Sequence, residues 1–423
     1  MSIKQRKVKI VICLVAMIIW FSFFFSNICL ADDIEEEEGI TAEEIQKEVL
    51  ETAVKPVTEP SLNARSAIVY DRTTQTILYE KNSNTKRPMA STTKIATAIV
   101  TIEQAYLNKV VTVSKKAAGT GGSRLGLKAN DKLTLGDLLY GLMLCSGNDA
   151  AVAIAETVGG SIEGFAKLMN EKAQELGLVS THFVTPHGLD NSEHYTTAYE
   201  LAKLTDYALQ NRTFASIVNT KNRTITINGY PKTISNTNEL LGNLQGVNGV
   251  KTGFTNGAGR CLVTSCSREG KQIITVVLGD DTKKLRTSDS IKLIEYAFQN
   301  FEDTNIQEIA RKEFEEWKQI NENRITVQKG TKNAKIEVYL EPIKNSIIPI
   351  RKDKENVVEV TIEGNLVLQA PVPQDTVVGY LTIKIEGKEL ERVAIKLKET
   401  IKKKNIWEYF AECIIQYSKV KLF

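Results

Sequence analysis

Hydrophobic positions change their period along this chain, and the changes mark its elements. Near the start, Ile10 to Leu30 is almost unbroken apolar sequence. From Ala64, apolar and polar residues alternate in SAIVYDRTTQTILYEKN, which predicts two strands around a turn at Thr73 to Gln75. Helical spacing follows. Ile95, Ala98, Ile99 and Ile102 share one face of a helix that begins in RPMASTTK and runs to about Gln104. Leu135 to Val158 and Ser161 to Leu176 predict further helices, the first broken at Ser146-Gly147, and Tyr195 to Gln210 adds another. Strand character returns between Val250 and Asp280, as two β runs joined at Arg268 to Gly270, and Ser288 to Phe298 predicts a closing helix. Strands, then helices, then strands and a helix predict an α+β fold: an antiparallel sheet with a segregated helical cluster, not an alternating βαβ chain.

The pattern changes again after Asn300. Lys335 to Leu397 is rich in Val, Ile and Thr, with turn signals at Gly364 and Gly387, which predicts a small all-β domain. In the last segment Ile406, Phe410, Cys413, Ile414 and Tyr417 fall on one stripe behind the basic run Lys402 to Lys404. Such a helix can dock on its own β domain. It can also lie in the plane of a membrane with Trp407 and Tyr409 at the headgroups, and its terminal position in an exported chain favours the membrane.

Composition and charge narrow the picture. With 423 residues and 42% hydrophobic content, the chain can bury at least two cores. Its 54 basic and 51 acidic residues leave a net charge of +3, which gives no overall pull towards nucleic acid, and none is expected as a partner. The basic start MSIKQRKVKI, the apolar run and the small residues Cys29 and Ala31 together read as a signal peptide over 1–31, although an uncleaved anchor would have a similar length. The protein is therefore expected outside the cytoplasm. Asp32 to Pro60 carries EEEE at Glu35 to Glu38 and few large apolar residues, and reads as a solvated acidic linker. Beyond Cys13 and Cys29, the cysteines Cys145, Cys261, Cys266 and Cys413 have no metal spacing and read as small core residues. Cys261 and Cys266 lie five apart in one strand, face opposite ways and cannot pair with each other.

Candidate chemistry begins with Ser91 and Lys94. Ser-x-x-Lys alone is a weak signal, since Ser83 to Lys86 and Ser418 to Lys421 also match. Only Ser91 opens a helix whose following face is apolar, so that the hydroxyl and the amine project together and the amine is desolvated. A buried ammonium loses pKa and becomes a base near neutrality. The plainer reading makes Ser91 or Thr92 an N-cap and lets Lys94 snorkel to solvent. A second element, Ser146-Gly147-Asn148, breaks two apolar helical stretches and offers a proton-relaying hydroxyl and a substrate-holding amide on one loop; an ordinary capping turn is the alternative. The third, Lys251-Thr252-Gly253, opens a strand, where amine and hydroxyl suit a carboxylate and Gly253 lets a ligand approach the backbone. Their order, with intervals of 55 and 105 positions, makes the three more telling together than apart.

The set STTK, SGN and KTG resembles the signature of penicillin-recognising active-site-serine enzymes. More narrowly, SAIVYD, RPMASTTK, CSGNDAA, TPHGLD, HYTTAYELA and GVKTGFTNGAG resemble the low-molecular-mass penicillin-binding proteins that are serine-type D-alanyl-D-alanine carboxypeptidases. The likeness covers roughly Asn63 to Phe298, and the β domain with its terminal helix matches that family's layout. It implies acylation of Ser91 by a peptidoglycan stem peptide, with Lys94 as base, Ser146 relaying a proton to the leaving nitrogen with help from Lys251, and Asn148 holding the peptide. Lys251, Thr252 and, less closely matched, Arg286 would receive the terminal carboxylate. The backbone N–H groups of Ser91 and Phe254 would form the oxyanion hole. β-Lactams would inhibit, and no cofactor or metal is implied. Phe254 stands where a His is frequent, and Arg260 and Cys145 are also less usual.

The expected organisation is a signal peptide at 1–31, an acidic linker at 32–60, a catalytic domain at 61–300, a β-rich domain at 301–397 and an amphipathic membrane-associating helix at 398–423. The location is the outer face of the cytoplasmic membrane or the cell wall. Three rivals are weighed against it. A β-lactamase of the same superfamily would need a Glu-x-x-Leu-Asn deacylation motif between Ser146 and Lys251, which the sequence lacks. A zinc peptidase would use His182, His187 and His194, yet no His-Glu-x-x-His helix is present. A non-catalytic wall-peptide binder would be expected to lose a catalytic group, and all are present.

Overall fold

The segment expected to be a solvated linker contains a helix, α1 (Ala42–Val54). Its start is a reciprocal cap: the Glu44 N–H donates to Thr41 Oγ1 at 3.2 Å, and the Thr41 N–H donates to the Glu44 carboxylate at 2.7 Å. Ile45 is fully buried, Glu44 pairs with Lys284, and Glu48 accepts from the Ser288 hydroxyl. Glu44 and Glu48, which read as part of a solvated run, are therefore partners of a later helix, and Glu35 to Glu38 lie outside the described residues. The computed structural model describes residues 39–54, 59–331, 336–344, 346–354 and 357–420, and the expected signal peptide lies outside the described residues.

The chain divides into two units between Gln299 and Asn300. In the first, β1 (Ser66–Asp71) and β2 (Thr76–Lys81) pair antiparallel as their alternation predicts. A 3-10 turn, Ala90–Thr93, leads into α2 (Lys94–Gln104). Every α2 residue from Lys94 to Thr101 is buried, because the helix is surrounded by α3 (Leu135–Leu144), α4 (Asn148–Gly159), α5 (Ile162–Glu175), α6 (Ala198–Gln210) and α7 (Arg212–Val218). Side-chain caps at Thr134, Ser161, Thr197 and Asn211 start four of these helices.

The stretch expected as two β runs holds three strands: β3 (Val247–Thr255), β4 (Gly259–Arg268) and β5 (Lys271–Asp280). Asn256-Gly257-Ala258 supplies the turn that the apolar pattern hid. The five strands form one sheet in the order β2-β1-β5-β4-β3, antiparallel throughout. The closing helix α8 (Lys283–Asn300) begins earlier than its apolar face suggests, where the Leu285 N–H donates to Thr282 Oγ1 at 3.1 Å.

The second unit is not purely β. Helix α9 (Ile306–Asn321) puts Ala310 and Phe314 into a core with Leu381, Ile383 and Ile395. Strands β6 (Val338–Leu340), β7 (Val358–Gly364), β8 (Val377–Ile385) and β9 (Lys388–Leu397) form an antiparallel sheet in the order β6-β9-β8-β7. The terminal helix α10 (Ile406–Val420) exposes Ile406, Trp407, Phe410 and Ile414, and Cys413 is exposed rather than a core residue. Among the described residues, no helix is long and apolar enough to cross a membrane.

Candidate active site

The 3-10 turn sets Ser91 at the mouth of a helix that has no wet face nearby. Lys94 follows one turn later and is fully buried. Its Nζ lies 2.5 Å from Ser91 Oγ, 2.7 Å from Asn148 Oδ1 and 3.1 Å from the His187 carbonyl. The Asn148 Nδ2 donates to the Gly121 carbonyl at 2.8 Å, which fixes that amide with its oxygen towards Lys94. Two of these three neighbours of Nζ are acceptors with no proton to give. Nζ donates to Asn148 Oδ1 and to the His187 carbonyl, and Ser91 Oγ, the one neighbour with a proton of its own, lies within hydrogen-bond reach of the same nitrogen. The snorkelling alternative is set aside by this burial.

Asn148 begins α4, and the loop before it is held tightly. Ser146 is buried in the left-handed region at a φ of +58°, a conformation that costs a residue bearing a Cβ and clusters at functional sites. The Asn148 N–H donates to the Ser123 carbonyl at 2.8 Å, and the buried Asp149 carboxylate accepts from the backbone N–H groups of Leu125, Gly126 and Leu127. The sequence reading missed Asp149. Its signal is an acid one position past a loop residue, in the first turn of an otherwise apolar helix.

Strand β3 lies at the sheet edge, against the 3-10 turn. A Cβ on Gly253 would meet Ser91 N at 3.0 Å, Thr92 N at 3.1 Å and Ala90 Cβ at 3.2 Å, so glycine is what allows strand and turn to touch. Lys251 is buried, and its Nζ donates to the Thr252 carbonyl at 2.9 Å. The Thr252 hydroxyl lies 2.7 Å from that of Thr237, a neighbour that no motif marks. The ring of Phe254 takes the Arg260 guanidinium at 3.7 Å, across the registered β3–β4 pair. Arg286 is placed differently from the other candidates. Its Nη2 donates to Glu239 at 3.0 Å, and Glu239 also binds Lys283.

The three histidines do not converge on a common point. His194 Nε2 is 2.8 Å from Thr93 Oγ1, His182 Nδ1 is 2.5 Å from the Glu193 carbonyl, and His187 Nδ1 accepts from the Leu189 N–H at 3.2 Å. Among the described residues, no His, Cys, Asp or Glu group is arranged to hold a metal ion. Burial and then His182 push His194 down to about 4, with Asp190 opposing. Burial pushes the Cys261 thiol up to about 12 and the Cys266 thiol up to about 11, which keeps both out of nucleophilic chemistry.

A serine hydroxyl against a buried amine, an amide fixed beside that amine and a Lys-Thr-Gly edge strand touching the serine turn define an active-site-serine hydrolase. Residues 53–282 match the model of the D-alanyl-D-alanine carboxypeptidase family, and residues 314–403 match the C-terminal domain of penicillin-binding protein 5. The chain belongs to that carboxypeptidase family, among the low-molecular-mass penicillin-binding proteins. It is 32% identical over 377 residues to the D-alanyl-D-alanine carboxypeptidase DacF of Bacillus subtilis, covering 87% of this chain and 93% of that one. The D-alanyl-D-alanine carboxypeptidase of Streptomyces sp. strain K15 is 38% identical over 265 residues, covering 58% of this chain and 91% of that one. Among solved structures, the carboxypeptidase DacD of Francisella tularensis superposes with a TM-score of 0.66 at 25% identity, over 83% of this chain and 96% of that one.

Proposed function

We propose that this chain removes the terminal D-alanine from peptidoglycan stem pentapeptides through an acyl-enzyme on Ser91, and that β-lactams inhibit it by acylating the same hydroxyl. The observation that carries this reading is the buried Lys94 amine, with carbonyl oxygens of Asn148 and His187 taking its protons and Ser91 Oγ at 2.5 Å. Lys94, neutral, takes the Ser91 proton as Oγ attacks the carbonyl of the penultimate residue. The developing oxyanion is received by the N–H groups of Ser91 and Phe254, one on the helix start and one on the edge strand. Ser146 passes a proton to the leaving nitrogen, helped by Lys251. D-Alanine departs, and water then hydrolyses the ester.

Asn148 holds a substrate amide, while Lys251 and Thr252 receive the terminal carboxylate, with Gly253 keeping the strand open to close approach. Arg286, whose Nη2 donates to Glu239, joins them by turning that donor from Glu239 to the substrate. The protein acts outside the cytoplasm, at the wall. Helix α10 lies on the membrane face, supported by the exposure of Ile406, Trp407, Phe410 and Ile414 behind Lys402 to Lys404.

The test is D-alanine release from a soluble pentapeptide ending in D-Ala-D-Ala, with fluorescent penicillin labelling alongside. Wild type is expected to show both activities, and Ser91→Ala neither. Labelling that persists in Ser91→Ala removes Ser91 as nucleophile, and penicillin labelling without D-alanine release overturns the carboxypeptidase reading.

A further inference from the structure

Residues 184–194 reach the nucleophile turn from below, and one route ends on the peptide bond that carries the Ser91 N–H. His194 is buried. Its Nδ1 lies 2.9 Å from the Val184 N–H, which can only donate, so Nδ1 accepts and the ring proton sits on Nε2. Nε2 therefore donates to Thr93 Oγ1, 2.8 Å away, and the Thr93 hydroxyl donates to the Ala90 carbonyl at 2.8 Å. Each proton along this path has one direction open to it.

The Ala90 carbonyl and the Ser91 N–H belong to one planar peptide and point opposite ways, so whatever fixes the carbonyl also aims the N–H. That peptide needs fixing. Ala90 sits at a φ of +47°, a region unfavourable for a residue with a Cβ. Gly188 packs so closely on the Ala90 oxygen that a Cβ there would collide with it. The same segment supplies the His187 carbonyl to Lys94 and the Pro186 carbonyl to Thr97, so with His194 on Thr93 it grips the turn once and the helix twice.

We propose that His194 is a positioning residue which, through Thr93, holds the Ala90–Ser91 peptide so that its N–H points at the oxyanion of the acylation step. The inference rests on Ser91 being the nucleophile. His194 is held neutral at working pH by burial and by His182, against the pull of Asp190, and its ring also meets Phe183 edge-on at 5.8 Å.

The experiment uses the full chain with Thr93→Val, which keeps shape and loses both hydrogen bonds, and Thr93→Ser, which keeps them. Fluorescent-penicillin acylation rates, kcat and KM for a soluble pentapeptide, and thermal melting are measured. Thr93→Val is expected to lower acylation and kcat by ~10- to 100-fold, short of the ~100- to 1,000-fold cost of deleting an oxyanion donor. KM should hold, and Thr93→Ser should restore the rate. A second, independent measurement is the tautomer of His194 by 15N NMR in unmutated protein, expected as Nε2–H, which decides the question even if Thr93→Val fails to fold. Wild-type acylation by Thr93→Val, a loss carried by KM with kcat intact, or an Nδ1–H tautomer each overturns the proposal. Loss of the parent reading would appear separately, as labelling that survives Ser91→Ala.

Discussion

Lys94 is the residue on which the proposed chemistry turns, and its burial follows from its place on a helix enclosed by five others. Its partners could not be read from the sequence. The His187 carbonyl lies 93 positions away and donates no side chain to the motif, so no residue type marks it. Ser91, Lys94 and Asn148 were legible as motifs, and the hydrogen bonds bring them together. Arg286 shows the limit of motif reading, because residue identity predicts a carboxylate receiver but not that Glu239 already holds it. Asp280 gives a pH prediction at this scale. It is fully buried, and burial with the adjacent Asp289 pushes its carboxyl up to about 8. The unfolded chain releases that proton near ~4, so stability that is complete below ~4 is lost as pH rises towards the folded value. Asp280→Asn should flatten that fall in urea unfolding measured from pH 4 to 8, whereas an unchanged slope would show that Asp280 does not drive it.

At the scale of elements, the contact between β3 and the serine turn is the feature most sensitive to a small change. Gly253→Ala would place a methyl 3.0 to 3.2 Å from Ser91 N, Thr92 N and Ala90 Cβ. Two of those atoms are backbone and cannot swing aside. Strand and turn must separate, and a displacement near 1 Å costs acylation on the order of 100-fold. Stopped-flow penicillin acylation measures it, and a wild-type rate in Gly253→Ala would mean the approach is not needed. Strands β1 and β2 and helix α2 were legible because each has one consistent period. The division of Val250 to Asp280 was not, because β3, β4 and β5 are nearly buried throughout and show no alternation to mark their ends. Helix α1 was hidden for the opposite reason: its acids resemble a solvated run until Lys284 and Ser288 meet them.

For the whole molecule, two units with separate cores carry separate tasks in this account: chemistry in the first and placement in the second. Replacing Trp407 and Phe410 together by Ser should abolish sedimentation with vesicles containing anionic lipid, while leaving kcat on a soluble pentapeptide unchanged. Retained sedimentation would move the membrane contact elsewhere. The first unit's function rests on one covalent event, and that event can be weighed. Intact mass spectrometry of penicillin-treated protein, followed by peptide mapping, is the most direct measurement. The account predicts a single penicilloyl adduct on the peptide containing Ser91, absent from Ser91→Ala; an adduct on any other residue, or one that survives that substitution, would contradict it.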